Sequence, residues 1–206
     1  MSASKPYVIG LTGGIGCGKS EAAKYLESLG AARFDADEVS HALTAPGGEA
    51  LAPIRAQFGD GVFHPDGTLD RAALASIVFS SAPHRKALEG IIHPLVQRSL
   101  LTRMDEAARE GVRVVILDVP LLFETGMDAL CDETWVLYLD REKQISRIVT
   151  RDGLTREEAA ARIDSQMSSE ERNARPTHAV NTDQPVEKTR QALSQLYRQA
   201  EKRAGD

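Results

Sequence analysis

The sequence predicts an α/β protein with a parallel sheet of five strands covered by helices on both faces. Short apolar segments of strand length alternate along the chain with longer amphipathic segments of helical period. A glycine-rich loop at residues 13–18 also joins the first apolar segment directly to the first helical one. Parallel strands need crossover connections, which are usually helices, so the alternation of strands with helical segments favours a parallel sheet.

Length and composition are those of an ordinary globular protein. The chain has 206 residues, of which 42% are hydrophobic and 27% charged, enough for one domain with an appended subdomain. The formal net charge of −5 argues against nucleic acid as a partner, because nucleic-acid-binding surfaces are normally basic. No apolar run approaches membrane-spanning length, and the N-terminus lacks a signal-peptide core. We therefore expect a cytoplasmic protein that does not bind membranes.

The strongest signal lies in the first two elements, residues 7–30. Tyr7 to Leu11 is a short apolar run that predicts a buried strand. The pattern G-x-x-x-x-G-K-S follows at residues 13–20, and a helical apolar face then ends at Gly30. This order predicts a phosphate-binding loop, because the loop amides and the positive end of the helix face the same anion. The alternative is a glycine-rich turn that happens to precede a helix.

Each part of this loop has a predicted task. We expect Lys19 to contact the β- and γ-phosphates of a nucleotide and to act in catalysis, and the Ser20 hydroxyl to hold Mg²⁺. The glycines lack Cβ atoms, which lets the backbone approach a phosphate. The residues predicted to bind the nucleotide are Gly14, Ile15, Gly16, Cys17, Gly18, Lys19, Ser20 and Glu21.

The two cysteines, Cys17 and Cys131, are far apart in the sequence and lack metal-ligand spacing. Each is expected to be a small packing residue and not a ligand or a disulfide partner. Cys17 is also a candidate reactive thiol in an empty site, because loop amides and Lys19 would favour its thiolate.

The rest of the chain continues the alternation. Further strands are predicted at residues 31–34, 112–118, 134–139 and 177–181. A capping box at residues 155–158 predicts one helix start, and Pro185 predicts the start of a last amphipathic helix. The apolar face of that last helix is expected to contain Val186, Leu193, Leu196, Tyr197 and Ala200.

Residues 38–111 are predicted to be mainly helical. Asp70 is expected to cap a helix that begins at residue 71, and Pro83 to open the next one. Pro94 is expected either to begin or to kink a helix that runs to Arg109.

Carboxylates follow two of the predicted strands. Asp35 and Asp37 come after the second strand, at the edge where open α/β sheets bind ligands. In an extended chain they would point to opposite sides, one toward the γ-phosphate site and one toward the loop or a basic partner. The alternative is a solvated turn in which Asp37 caps the next helix. Asp118 ends an aliphatic run, a pattern in which an Asp supports Mg²⁺ directly or through water, or else caps a turn.

Four segments together resemble the dephospho-coenzyme A kinases. They are Gly-Leu-Thr-Gly-Gly-Ile-Gly-Cys-Gly-Lys-Ser at 10–20, Asp-Ala-Asp at 35–37, Ile-Ile-His-Pro at 91–94 and Val-Pro-Leu-Leu-Phe-Glu at 119–124. The resemblance runs in the family's order from about residue 7 to Asn181. The departures are Cys17, where the family usually has Ser, and Glu21, where Thr or Ser is common. Neither departure removes a group that the chemistry needs.

This resemblance implies transfer of the γ-phosphate of ATP, with Mg²⁺, to the ribose 3′-hydroxyl of dephospho-coenzyme A. It implies that Asp37 accepts or orients the acceptor hydroxyl. It also implies that His93 borders the acceptor site, although its spacing alone is more typical of a structural histidine. Asp35 and Glu124 are further candidates for binding the acceptor. Glu124 would bond a ribose hydroxyl or arginine side chains.

Residues 141–175 carry eight basic side chains that acidic ones nearly balance, which by itself is typical of a solvated helical hairpin. Chain order and the resemblance favour a lid that closes over ATP and brings arginines to the transferring phosphoryl group. Arg147 is the first choice for that contact. Arg151 lies on the same helix face and is predicted to bind the nucleotide, and Arg162 to bind the acceptor.

The predicted organisation is one kinase domain, residues 1–206, with the small-molecule partners ATP and dephospho-coenzyme A. Its core is expected at about 5–37, 112–140 and 176–206, the acceptor-binding region at about 38–111 and the lid at about 141–175. A monomer or a weak homo-oligomer is expected. The alternatives are another kinase of the nucleoside-monophosphate or small-metabolite type or, in a different class, a non-catalytic nucleotide switch or a GTP-binding module. A guanine-binding switch would need an Asn-Lys-x-Asp motif, and the nearest sequence, Asn181-Thr-Asp183, lacks the lysine.

Overall fold

A computed structural model describes residues 5–205 and contains the predicted sheet of five parallel strands. The strands are β1 (Tyr7–Gly13), β2 (Ala32–Asp35), β3 (Val114–Asp118), β4 (Glu133–Tyr138) and β5 (His178–Asn181). Their order in the sheet is β2-β3-β1-β4-β5. All of β3 and all of β1 after Tyr7 are buried, as expected for a parallel sheet between helices. Asp206, the last residue of the predicted core, lies outside the described residues.

Nine α-helices occur within the described range. They are α1 (Lys19–Ser28), α2 (Ala36–Leu43), α3 (Leu51–Phe58), α4 (Arg71–Ser80), α5 (Ala82–Arg109), α6 (Arg141–Asp152), α7 (Arg156–Asp164), α8 (Ser169–Asn173) and α9 (Val186–Arg203). The predicted caps are confirmed at Asp70, which accepts from two amides of α4, and at the capping box of Thr155 and Glu158. None of these described helices combines the length and the apolarity needed to cross a membrane.

The sheet order brings the ends of β1 and β3 together. In the register of these two strands, Leu11 lies opposite Asp118, while on the other side of β1 it lies opposite Trp135 of β4. The loop that follows β1 therefore starts beside the end of β3. This arrangement places the glycine loop and Asp118 at the same edge of the sheet.

The chain divides into two compact units. The first contains the chain up to Phe34 and from Met104 onward, and the second is Asp35–Arg103. The core of the first unit is built from β1, β3 and β4 with α1 and α9, including Ile9, Trp135 and Leu193. The second unit has its own smaller core, formed by Ala50, Ile54, Val62, Leu74 and Val78.

The prediction about Asp35 and Asp37 is wrong in detail, and one of the two alternatives for Pro94 is excluded. The chain is already helical at Ala36, because the Asp35 carboxylate accepts from the amides of Asp37 (2.8 Å) and Glu38 (3.2 Å). Asp35, and not Asp37, is the cap, so the alternation of an extended strand does not apply to this pair.

Pro94 does not begin a helix, since it lies inside α5, which spans 28 residues from Ala82 to Arg109. The alternative, a kink at Pro94, stays a prediction. A proline interferes with the carbonyl four residues earlier, which here belongs to Gly90. Both residues are exposed, so water can bond the carbonyl that Pro94 leaves without a partner.

Candidate active site

The glycine loop runs from the end of β1 into the first turn of α1. Gly16 and Gly18 have φ angles of 80° and 83°, in the left-handed region that residues with a Cβ rarely adopt. Gly18 is the N-cap of α1 and has no side chain to cap the amides of that first turn, and no side-chain hydrogen bond to these amides occurs among the described residues. These amides and the positive end of α1 therefore remain available to an anion.

Asp118 lies beside this loop and is fully buried. Its Oδ1 accepts from the Lys19 ammonium, and its Oδ2 accepts from Nε (2.9 Å) and Nη2 (2.7 Å) of Arg33. One buried carboxylate thus binds two cations, and one of them, the Lys19 ammonium, belongs to the first residue of α1 beside the loop. Arg33 was not singled out from the sequence. Its contact with Asp118 follows from the sheet order, in which β2 lies next to β3, and no pattern within one element indicates it.

A cavity of about 270 Å³ opens next to the loop, on the side of α9. Its lining is formed by Cys17, Gly18, Glu21, Ala22, Tyr25, Arg147, Thr182, Gln184, Val186, Thr189 and Arg190. Arg147 forms one wall and donates to the carbonyls of Gly16 (3.2 Å) and Thr182 (3.2 Å). The prediction that Val186 packs in the core is wrong, because it is 63% exposed and faces this cavity.

The other predicted lid arginines are already paired. Arg151 bonds both oxygens of Asp152, at 2.7 and 3.0 Å, and Arg162 bonds the same carboxylate at 3.2 Å. The helices that carry them, α6 and α7, pack around Ile145, Ile148, Ala159 and Ile163. Contact of Arg151 with the nucleotide and of Arg162 with the acceptor stay predictions.

Cys17 is not the reactive thiol that its place in the loop suggested. Its side chain is 1% exposed, belongs to the core of the first unit and accepts from Nε2 of Gln144 at 2.7 Å. Burial raises the pKa of the Cys17 thiol, and this outweighs the lowering by the Gln144 hydrogen bond and by the charges of Arg172 and Arg147. The expectation that Cys17 serves as a small packing residue is confirmed. Cys131 is likewise a free thiol, and burial raises its pKa to about 12.

The segment after α7 bonds to the phosphate loop through Gln166, which was not singled out from the sequence, and to Glu124, which was. Gln166 accepts from the amide of Ile15 at 3.0 Å, and Glu124 accepts from the amide of Met167 at 3.3 Å. Glu124 thus bonds a backbone amide here and not an arginine, and its contact with a ribose stays a prediction. Gln166 lies four residues after Arg162, so a helix would place both side chains on one face. This spacing does not indicate that Gln166 bonds the loop amide.

The remaining candidates belong to the second unit. Asp37 lies exposed in the first turn of α2, and Asp35 is half-buried at the end of β2. His93 lies within α5, partly exposed, and no hydrogen bond of its side chain occurs among the described residues. The roles of these three residues stay predictions.

A loop that leaves helix amides free for an anion, a lysine paired to a buried aspartate and an adjacent cavity define a nucleotide-binding site of the phosphate-loop class. The fold agrees, since a shikimate kinase from Acinetobacter baumannii superposes with a TM-score of 0.53 at 16% identity, covering 94% of this chain and 92% of that one.

The sequence comparisons identify the family within this class. The dephospho-CoA kinase family profile matches residues 7–188, and the chain belongs to that family. A dephospho-CoA kinase from Symbiobacterium thermophilum is 43% identical over 94% of this chain and 81% of its own length. A dephospho-CoA kinase from Geobacter sulfurreducens is 41% identical over 92% of this chain and 96% of its own length.

Two solved structures agree with this assignment. A Thermus thermophilus protein superposes with a TM-score of 0.80 at 35% identity, covering 95% of this chain and 98% of that one. A dephospho-CoA kinase from Campylobacter jejuni superposes with a TM-score of 0.64 at 25% identity, covering 96% of this chain and 98% of that one.

Proposed function

We propose that this chain transfers the γ-phosphate of ATP to the ribose 3′-hydroxyl of dephospho-coenzyme A, which is the last step of coenzyme A synthesis. The family membership supports the reaction and its two substrates. The single structural observation that carries the proposal is the pairing of Lys19 with buried Asp118 beside the uncapped start of α1. This is where a triphosphate binds in kinases with such a loop.

The phosphates of ATP would lie against the loop amides and the first turn of α1, with Lys19 at the β- and γ-phosphates. When the triphosphate binds, Lys19 exchanges part of its contact with Asp118 for the phosphate oxygens. Arg33 remains on Asp118 at 2.7 Å, so the buried carboxylate keeps one partner throughout. Lys19 stays near the transferring group and stabilises the charge that spreads over its oxygens.

The adenine would occupy the cavity beside the loop. Ala22, Tyr25 and Val186 supply apolar surface there, while Gln184 supplies an amide that can donate and accept. Arg147 is held by two carbonyls with its guanidinium at the wall, a position suited to stacking on a base. We therefore propose that Arg147 first of all binds the nucleotide. Its predicted contact with the transferring phosphoryl group is tested below.

Mg²⁺ would be held by the Ser20 hydroxyl together with phosphate oxygens. The fit rests on the donor chemistry, since Ser20 is exposed in the first turn of α1 and hard cations prefer oxygen ligands. The described residues contain no group of three or more His, Cys, Asp or Glu side chains that could hold a metal ion. Asp118, paired with Lys19 and Arg33, would support it through water.

In the proposed reaction the acceptor oxygen attacks the γ-phosphorus, and the bond from that phosphorus to the ADP oxygen breaks. The proton of the acceptor hydroxyl passes to Asp37, in the role of general base. Asp35 holds the turn that carries Asp37, because its carboxylate caps α2. We propose that His93 and Glu124 bind the acceptor.

The test is an acceptor screen with the purified chain, in which ADP release is followed with ATP and Mg²⁺. We expect rapid release with dephospho-coenzyme A and a product that carries one additional phosphate by mass. Shikimate serves as the control acceptor, since a shikimate kinase shares the fold at only 16% identity. Fast phosphorylation of another small metabolite in place of dephospho-coenzyme A would contradict the proposal.

A further inference from the structure

The eight basic side chains of residues 141–175 form two groups. Six are exposed and paired with carboxylates, namely Arg141 with Asp164, Lys143 with Asp183, Arg151 and Arg162 with Asp152, Arg156 with Glu142, and Arg175 with Glu171. Arg147 and Arg172 differ, because neither pairs with a carboxylate in the described part of the chain. Both donate to backbone carbonyls, and both lie against the phosphate loop.

Arg172 is the more unusual of the two because it is buried. Its residue is 4% exposed, although it belongs to the short helix α8. Nη2 donates to the carbonyl of Met167 at 2.5 Å, and Nε has no hydrogen-bond partner among residues 5–205. Nη1 would lie 3.0 Å from a Cβ atom built on Gly14. The guanidinium therefore packs directly against the backbone of the loop.

This arrangement lowers the stability of the folded protein when no ligand is bound. A buried guanidinium without a counter-ion is unfavourable, and an N–H group without a partner adds to that cost. The field of this charge extends to the middle of the loop, since Arg172 and Arg147 both lower the pKa of the Cys17 thiol against the effect of burial. An anion bound in the loop would supply the missing negative charge.

We propose that Arg172 is a positioning residue for the phosphate chain of ATP, acting as a buried positive charge behind Gly14 with the phosphates as its counter-ion. It acts through the loop backbone and does not contact the reacting atoms. This inference depends on the proposed placement of ATP at the loop. It predicts that removing the charge of Arg172 lowers the affinity for a nucleotide by an amount that increases with the number of its phosphates.

The test is Arg172→Met, which removes the charge and keeps much of the buried chain. We expect the melting temperature without nucleotide to stay equal or to rise, because an uncompensated charge has left the interior. We expect ATP affinity to fall by about 10-fold or more, ADP affinity by less and AMP affinity least, following the charge of the ligand. Melting curves and titration calorimetry with the three nucleotides measure both effects.

Two matched variants define the role of the charge. Arg172→Lys retains it and should recover most of the ATP affinity. Arg175→Gln removes a charge three residues away, but one that is exposed and paired with Glu171, so its ATP affinity should match the wild type.

The outcomes separate this inference from the proposed function. If the wild type binds ATP and Lys19→Ala does not, the loop assignment holds whatever Arg172→Met shows. Unchanged ATP affinity in Arg172→Met would then overturn the role of Arg172 alone. A protein that is unfolded or strongly destabilised without nucleotide, or that loses affinity equally for ATP, ADP and AMP, would show a structural arginine and also overturn it. A wild-type chain that does not bind ATP would instead overturn the proposed function.

Discussion

The candidate residues of the two units are held in different ways. In the first unit they bond to one another and to the phosphate loop, as Asp118 bonds Lys19 and Arg33, and Gln166 bonds Ile15. In the second unit Asp37 and His93 lie on helices, exposed or partly exposed.

This difference indicates which roles the structure supports by itself. Around the loop, burial and charge pairing restrict each side chain to one environment, so its chemistry follows from its contacts. The tasks proposed for Asp37 and His93 rest on the resemblance. Substitutions beside the loop should therefore affect ATP first, whereas substitutions of Asp37 and His93 should affect the acceptor.

The largest effect is expected for Lys19→Ala. Removing the ammonium removes the main stabilisation of the phosphoryl oxygens, and turnover should fall by more than about 10³-fold. The fold should persist, since Asp118 keeps its contacts with Arg33. Steady-state ADP release and a melting curve measure the two quantities. Lys24→Ala, an exposed lysine of the same helix, is the control and should keep the wild-type rate. A folded Lys19→Ala protein with near wild-type turnover would show that the loop does not bind the transferred phosphate.

Asp37→Asn should reduce the rate of phosphoryl transfer by about 10²- to 10⁴-fold, the range of a positioned general base. ATP affinity should change little, which would distinguish the second unit from the first. Single-turnover kinetics with saturating ATP and dephospho-coenzyme A measure the rate.

Asp35→Asn is the matched control for Asp37→Asn. Asparagine also caps helices well, so the start of α2 should survive the change. We expect a loss of less than about 10-fold for this variant. A larger loss for Asp35→Asn than for Asp37→Asn would exchange the two roles, and small losses for both would remove the pair from the chemistry.

The sequence predicts the fold well because its signals are local. The strand and the helix at residues 7–30 follow from the spacing of apolar residues, and the loop between them follows from its glycines. The capping box of α7 follows from two residues three positions apart. The contacts of Asp118 with Lys19 and Arg33 span 99 and 85 positions, and no pattern within one element indicates them. Whether a carboxylate near a strand end caps a helix, as Asp35 does, depends on where the helix starts, which sequence reasoning locates only to within a few residues.

The lid shows the same limit. Eight basic residues in one segment look equivalent in the sequence, yet only Arg147 and Arg172, within the described range, lack a carboxylate partner. Burial and pairing distinguish them, and both depend on tertiary packing.

Arg147→Ala should have a smaller effect, mainly on ATP binding. The side chain donates to Gly16 and Thr182 at the wall of the cavity, so its loss should raise the KM for ATP by about 10- to 100-fold. We expect kcat to stay within about 3-fold. Arg151→Ala is the control, because Arg151 is exposed and paired with Asp152. A fall in kcat of about 10³-fold with little change in KM would instead place Arg147 at the transferring phosphoryl group.

The smallest effect is expected at Cys17, which lies inside the loop and yet belongs to the core. Burial raises the pKa of its thiol, so at pH 8 the thiol stays protonated, and only the thiolate reacts quickly with iodoacetamide. In the native protein we expect no adduct at Cys17 by mass spectrometry during an exposure that fully labels the protein unfolded in guanidinium. Cys17→Ser should retain turnover within a few-fold, because the residue fills space and supplies no charge. Rapid labelling of Cys17 in the native protein, together with protection by ATP, would contradict this expectation. It would show that the loop lowers the pKa of the thiol more than burial raises it.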